Sequence, residues 1–138
     1  MLKQLNSDRF HSRLATTSGI LRREVQNVRF QPIPFVASIT LANGDNDNIR
    51  WDNGFIKIIG PTAGFAITGF VAPEMNVELM VYNSVAQIMT VRNEDAGSVA
   101  AARLLTLTGA DVALRAGTSF ATFVYDHDVS RWILKSYN

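Results

Sequence analysis

Apolar residues in this chain fall in short runs broken by turn-forming residues. Phe35 to Leu41 (FVASITL) is apolar and β-branched. Ile49 to Trp51, Phe55 to Ile59 (FIKII), Phe65 to Phe70 (FAITGF), Val77 to Tyr82 (VELMVY) and Ile88 to Val91 follow. Later candidates are Ala102 to Thr106, Asp111 to Leu114, Ser119 to Tyr125 and Trp132 to Lys135. Turn signals recur about every ten residues, the spacing of all-β sandwiches and barrels. The tract NGDNDN at 43–48 reads as a turn, and Asn53-Gly54 reads as a hairpin signal. The stretch from Asp95 to Ala102 suits one helical turn. The pattern therefore predicts a mainly β fold, an antiparallel, jelly-roll-like sandwich or barrel.

Alternation assigns faces. Val77, Leu79 and Val81 share one side of their strand. Phe120, Thr122 and Val124 oppose Ala121, Phe123 and Tyr125. A strand apolar on both faces is either central in its domain or placed at a subunit contact.

The first residues follow a different pattern. Leu14, Leu21, Val25 and Val28 are spaced 7, 4 and 3 apart, which predicts a short helix from Ser18 to about Arg29. Pro32 and Pro34 in QPIPF then force extended backbone. The boundary falls there: an N-terminal arm over 1–33 and a β-domain over 34–138. Charge divides the same way. Residues 1–31 hold six basic and two acidic residues, a charge of +4, and the remainder holds seven and ten, a charge of −3. The net +1 of the whole chain hides this split. The arm's three possible states remain open: packed on its own body, ordered by a neighbouring subunit, or a tail.

Composition narrows the chemistry. The 138 residues suit one domain that can bury a core without metal or disulfide. Charged residues are 18%, against about 25% in typical globular chains. The absence of cysteine excludes a disulfide framework, thiolate metal sites and a cysteine nucleophile. No apolar run is long enough for a membrane-spanning helix, and the first ten residues lack the apolar stretch of a signal peptide. Asp126-His127-Asp128 reads as a surface turn, because adjacent turn residues point in different directions. Asn43, Asp45 and Asp47 place oxygens at alternate positions, as calcium loops do. The EF-hand pattern then fails, with Asn48 at position six and Gly54 at position twelve. GPTAG at 60–64 lacks the Lys-Ser/Thr of a phosphate loop. An acidic body without interleaved basic and aromatic residues argues against nucleic acid. No cofactor, metal or catalytic set is expected.

Two longer segments carry a resemblance. They are FIKIIGPTAGFAITGF and the stretch from VYNSVAQIMTVRNEDAGSVAAARLL to YDHDVSRWIL. The motif positions are Ile59 to Ala63, Tyr82 to Val91, Asn93 to Thr106, Gly109 to Leu114 and Phe123 to Trp132. This pattern, over residues 55–136, resembles a β-domain of tailed-bacteriophage and prophage virion proteins. Such domains occur in tail fibres, head fibres and capsid-decorating proteins, often as trimers, and none of the matched positions is catalytic. The resemblance implies a non-enzymatic structural protein on the outer surface of a virion. Its expected partners are further copies of itself and the major capsid protein or another virion protein. On that reading the arm, through Arg9, Arg13, Arg22, Arg23 and Arg29, grips the head of the particle. The alternative is a head- or tail-fibre adhesin, with Asn43, Asp45, Asp47, Asp126, His127 and Asp128 as receptor loops for a host-surface glycan. Within the motif, Asn93 to Ser98 is expected to organise a loop by side chain to backbone bonds. Arg92 or Arg103 is expected to pair with the acidic turn at Glu94-Asp95, and Trp132 is expected to supply apolar surface.

Overall fold

The computed structural model describes residues 37–138. The arm, the helix expected in it and the boundary expected at 33–34 lie outside those residues. The ten strands among the described residues are β1 (Ala37–Thr40), β2 (Gly44–Asn46), β3 (Phe55–Ile59), β4 (Phe65–Ile67), β5 (Glu78–Asn83), β6 (Met89–Val91), β7 (Leu104–Leu105), β8 (Val112–Leu114), β9 (Ser119–Asp126) and β10 (Arg131–Tyr137). Among the described residues a 3₁₀ turn, Ala100–Ala102, falls within the stretch expected to form a helical turn.

The strands form a six-stranded sheet, in the order β1-β3-β5-β9-β10-β7, and a four-stranded sheet, in the order β2-β4-β6-β8. Their connectivity is that of a coil. The chain runs through β1 and β2, then β3 and β4, then β5 and β6, crossing from one sheet to the other each time. Like strands of successive coils pair in parallel: β1 with β3, β3 with β5, β2 with β4 and β4 with β6. A third side of the first two coils meets where Ile49 bridges Phe70, also in parallel. Ala37 lies beside Ile56 and Ile56 beside Val81, so one coil takes about 20–25 residues, a solenoid-like repeat. Antiparallel pairing is confined to the C-terminal part, where β9 joins β5 to β10 and β8 closes on β6.

The mainly β expectation holds, and the antiparallel sandwich or barrel gives way to these coils. The physical reason lies at the two Asn-Gly pairs. Neither reverses the chain into a hairpin; each turns a corner between sides of a coil. At the first, Gly44 adopts φ +77°. The residues after it then form β2, although Gly, Asp and Asn favour strands poorly. The next coil supplies what propensity lacks: Gly44, Asp45 and Asn46 pair with Phe65, Ala66 and Ile67. Asn46 Nδ2 also donates to the Ala66 carbonyl at 3.1 Å. At the second, the Gly54 carbonyl accepts from Met80 N of the following coil at 2.8 Å.

The core lies between the sheets. Ile56, Ile58, Leu79, Val81, Ala121 and Phe123 come from the six-stranded sheet, and Phe65, Ile67, Met89, Val91 and Leu114 come from the other. All are almost fully buried; the alternation expected for β5 is observed, and β9 follows it except at Thr122, which is buried on the face of Phe120 and Val124. Phe70 stands at the centre. Its ring contacts Phe123 at 5.3 Å and Trp132 at 5.8 Å, both edge-to-face. Trp132 in turn meets Tyr125 and Trp51 at 5.2 and 5.5 Å. Its indole donates to the Phe70 carbonyl at 2.9 Å.

Coil stacking is tightest at Gly69. A Cβ there would strike the Ala102 carbonyl oxygen, the Ser98 hydroxyl and the Ser98 Cβ. Backbone oxygen cannot yield as a flexible side-chain end can. Gly69→Ala is therefore expected to destabilise the protein by about 3 kcal/mol, as overpacking does. Gly64→Ala, with no atom within 4 Å of the added Cβ, should be close to neutral. Urea denaturation of the two variants checks the contrast.

Candidate functional site

The residues that point away from the core on the six-stranded sheet form its outer face. β3 contributes Phe55, Lys57 and Ile59, and β5 contributes Glu78, Met80 and Tyr82, all alternating with buried neighbours. From β9 come Phe120, Thr122 and Val124, and from β10 come Ile133 and Lys135. Register sets their rows: Phe55, Met80 and Thr122 lie side by side, and so do Lys57, Tyr82 and Phe120. The Phe120 ring stacks on Tyr82 at 4.8 Å and on Phe55 at 6.2 Å, both at 19°. Ile59, Met80 and Phe120 are 38%, 37% and 36% exposed, high values for large apolar residues within regular strands. The Lys135 ammonium reaches across β9 to the Glu78 carboxylate at 3.3 Å. Beyond this ion pair lies an open groove of about 550 Å³, lined by Leu107, Val124, Ile133 and Lys135 and bordered by Asn76 and His127.

Among these residues, β9 is the strand whose two apolar faces are legible in the sequence. Phe55, Tyr82 and Met80 were not read as surface residues. The weak signal for them is alternation in FIKII and VELMVY, where Phe, Met and Tyr occupy the sides opposite the aliphatic core positions.

The structure gives the two candidate receptor loops different roles. Asn43 is occupied in coil stacking. Its Oδ1 accepts from Thr62 N at 2.8 Å and Ala63 N at 3.1 Å, and its Nδ2 donates to Thr62 Oγ1 at 3.1 Å. Asp45 pairs with Arg92 at 3.2 Å. Asp47 accepts from Thr68 Oγ1 at 2.6 Å, and Thr68 shares a 2.7 Å contact with Ser98 Oγ. The Ser98 hydroxyl also receives Asn48 N at 3.0 Å. The alternate oxygens of this tract thus bind neighbouring chain segments, and among the described residues no group of three or more His, Asp or Glu is arranged to hold a metal. Asp126 ends β9, and His127 and Asp128 begin the β9–β10 turn. Asp126 Oδ1 accepts from Asp128 N at 2.9 Å, and the exposed His127 ring lies edge-on to Tyr125 at 4.8 Å.

The polar residues of the motif also hold the fold. Asn93 Oδ1 accepts from Thr106 N at 2.9 Å and Thr106 Oγ1 at 3.1 Å, as expected of a loop organiser. The acidic turn is paired differently from expectation. Glu94 receives Arg131 Nε at 2.6 Å, which raises the Arg131 pKa further. Arg103 donates instead to the Ser98 carbonyl at 3.1 Å. Arg92 bridges Asp111 at 2.9 Å and Asp45, and the hydrogen bond to Asp111 is the largest cause of its raised pKa. Long-range pairing through β10 brings Arg131 to Glu94, which sequence proximity did not suggest. Tyr125 Oη donates to the Ala101 carbonyl at 3.1 Å.

Arg9, Arg13, Arg22, Arg23 and Arg29 lie outside the described residues. No family model, curated protein or solved structure matches the chain.

Asp111 links this network to pH. Its carboxyl is held below the ordinary range, first by Asn93 N at 2.8 Å and then by Arg92. A depressed folded-state pKa stabilises the fold above the unfolded value of about 3.9, and that contribution is lost as pH falls through the lower folded value. Asp111→Asn is thus expected to lower the melting temperature at neutral pH. The gap to the parent protein should narrow as pH falls below about 4. Thermal melts of both proteins from neutral to strongly acid pH measure this.

Proposed function

We propose that this chain is a bacteriophage virion structural protein: a trimeric capsid decoration, or cement, protein that binds and stabilises the outer head surface through its N-terminal arm. The observation that carries this reading is how the resembling motif is used. Asn93, Glu94, Arg103, Tyr125, Arg131 and Trp132 all spend their polar groups on internal bonds that tie the C-terminal strands to the coils. A motif made of such residues specifies a rigid shape, and a decoration protein needs a rigid knob presented in many copies. The protein is not an enzyme on this reading, and it takes no cofactor. The arm's charge of +4 suits attachment to an acidic capsid surface, with many weak contacts strengthened by multivalency.

Purified particles of the phage or prophage that encodes the chain should contain it in stoichiometric amount, with its density on the outer head in cryo-electron microscopy. Its absence from the particles overturns the proposal. Removing residues 1–31, or replacing Arg9, Arg13, Arg22, Arg23 and Arg29 together by Gln, should abolish binding to undecorated heads. Full occupancy by either variant removes the role of the arm.

The groove beside Asp126, His127 and Asp128 favours a second reading, in which the protein is a fibre-tip adhesin for a host-surface glycan. Specific binding to susceptible cells, lost on His127→Ala or Asp128→Ala, supports that reading. No binding to such cells rejects it.

A further inference from the structure

We propose that the groove at the β9–β10 end of the six-stranded sheet takes a sugar that carries a free amino group. The inference rests on the adhesin reading of this groove and names the ligand class that its chemistry selects. Three segments wall the groove: the chain entering β5 with Asn76, the loop after β7 with Leu107, and the β9–β10 turn with His127 and Asp128. Register lays its floor, because Val124 pairs with Ile133 across β9 and β10. That floor is half-buried and apolar, and the exposed Leu107 continues it on one side.

Charge decides the sign of the ligand. Asp126 and Asp128 both line the groove, and among the described residues neither carboxylate has an ammonium or guanidinium partner. Arg131, the cation nearest to them in sequence, is committed to Glu94 at 2.6 Å. Lys135 also lines the groove, but Glu78 already neutralises it at 3.3 Å. The groove therefore carries two carboxylates in excess. An anionic ligand (phosphate, uronate or sialate) is repelled there, and an ammonium is attracted. The volume of about 550 Å³ lies within the usual range of small-ligand clefts.

Backbone pairing separates a sugar from a basic peptide. An extended peptide commonly binds by adding a strand to a sheet edge. β9 lies between β5 and β10, and β10 lies between β9 and β7, so the main-chain groups under the groove are spent within the sheet. What remains is a set of polar side chains around a small apolar floor. A pyranose ring matches that set. Its C–H face packs on Val124 and Ile133, its hydroxyls meet Asn76 and His127, and its ammonium faces the carboxylates.

Fluorescence anisotropy with labelled glucosamine and galactosamine trisaccharides tests this on the full chain. At least one should bind, and its N-acetylated counterpart should bind about tenfold more weakly, the loss expected for two exposed charge contacts. Asp128→Asn should weaken binding of the amine sugar about threefold. Lys135→Gln should tighten it, a gain that a merely structural role does not predict. Asp52→Asn, at an exposed carboxylate outside the groove, should change nothing. Leu107→Ser should weaken the amine and the acetylated sugar alike. Circular dichroism checks that each variant folds, and Asp126→Asn serves if Asp128→Asn does not. Failure of both amine sugars to bind, binding unchanged by the carboxylate variants, or a trilysine peptide bound as tightly as the sugar overturns the inference. An acetylated or acidic glycan bound here at equal strength also overturns it, and leaves the adhesin reading standing. Selective binding of the amine sugar without any binding to susceptible cells upholds the ligand class and rejects the adhesin role.

Discussion

The described residues depend on one junction, the place where Trp132 meets Phe70. The two residues are 62 positions apart, and their contact combines an edge-to-face ring pair with a hydrogen bond from the indole to the Phe70 carbonyl. Phe70 belongs to the second coil, where it bridges back to Ile49 of the first. Its own N–H donates to the Ala102 carbonyl, so the segment leading into β7 docks on the same residue. Trp132 belongs to β10, the last strand. A solenoid with few coils has open ends and little cooperative depth, because each coil contacts only its neighbours. Here the chain returns and bolts its final hairpin onto the middle coil. That closure turns a short stack into one continuous core.

Polar residues perform the finer positioning. The buried Thr68 and Ser98 hydroxyls and the Asp47 carboxylate form a chain of short hydrogen bonds between the first coil, the second and the loop after β6. A buried polar group contributes a modest net amount when satisfied and costs considerably more when left without a partner. Such a network therefore selects register more than it adds stability. It also explains why Gly69 has no room for a methyl group: the backbone must pass close enough for Thr68 and Ser98 to meet. Asn43 and Asn46 serve the same end at the next corner, clamping residues 62–63 and 66.

Most strands were legible in the sequence because their core positions alternate strictly. Phe55 to Ile59 was located to the residue, and β5, β6, β8, β9 and β10 to within a few. The order of the strands in space was not legible. Asn-Gly is a local signal that specifies a change of direction, and the partner of the following strand is decided by contacts about twenty residues away. The tract at 43–48 makes the point. Its composition describes a solvated turn, and three of its residues nevertheless form β2, because stacking on Phe65 to Ile67 supplies the bonds. Of the candidate site, the two apolar faces of β9 could be read directly. The ladder across Phe55, Phe120 and Tyr82 could not, since it exists only once β3, β5 and β9 are known to be neighbours.

That ladder bears on why so apolar a chain carries so little charge. A monomer in water normally breaks up large apolar patches with charged side chains, because exposed sheet faces invite association. The outer face of β3, β5 and β9 mixes the two, with Phe55, Met80, Tyr82 and Phe120 beside Lys57 and the Glu78–Lys135 ion pair. The core beneath these rings is already closed by Ile56, Ile58, Leu79, Val81 and Phe123. The larger charge network of the described residues lies elsewhere, joining Arg92 to Asp45 and Asp111 and Arg131 to Glu94.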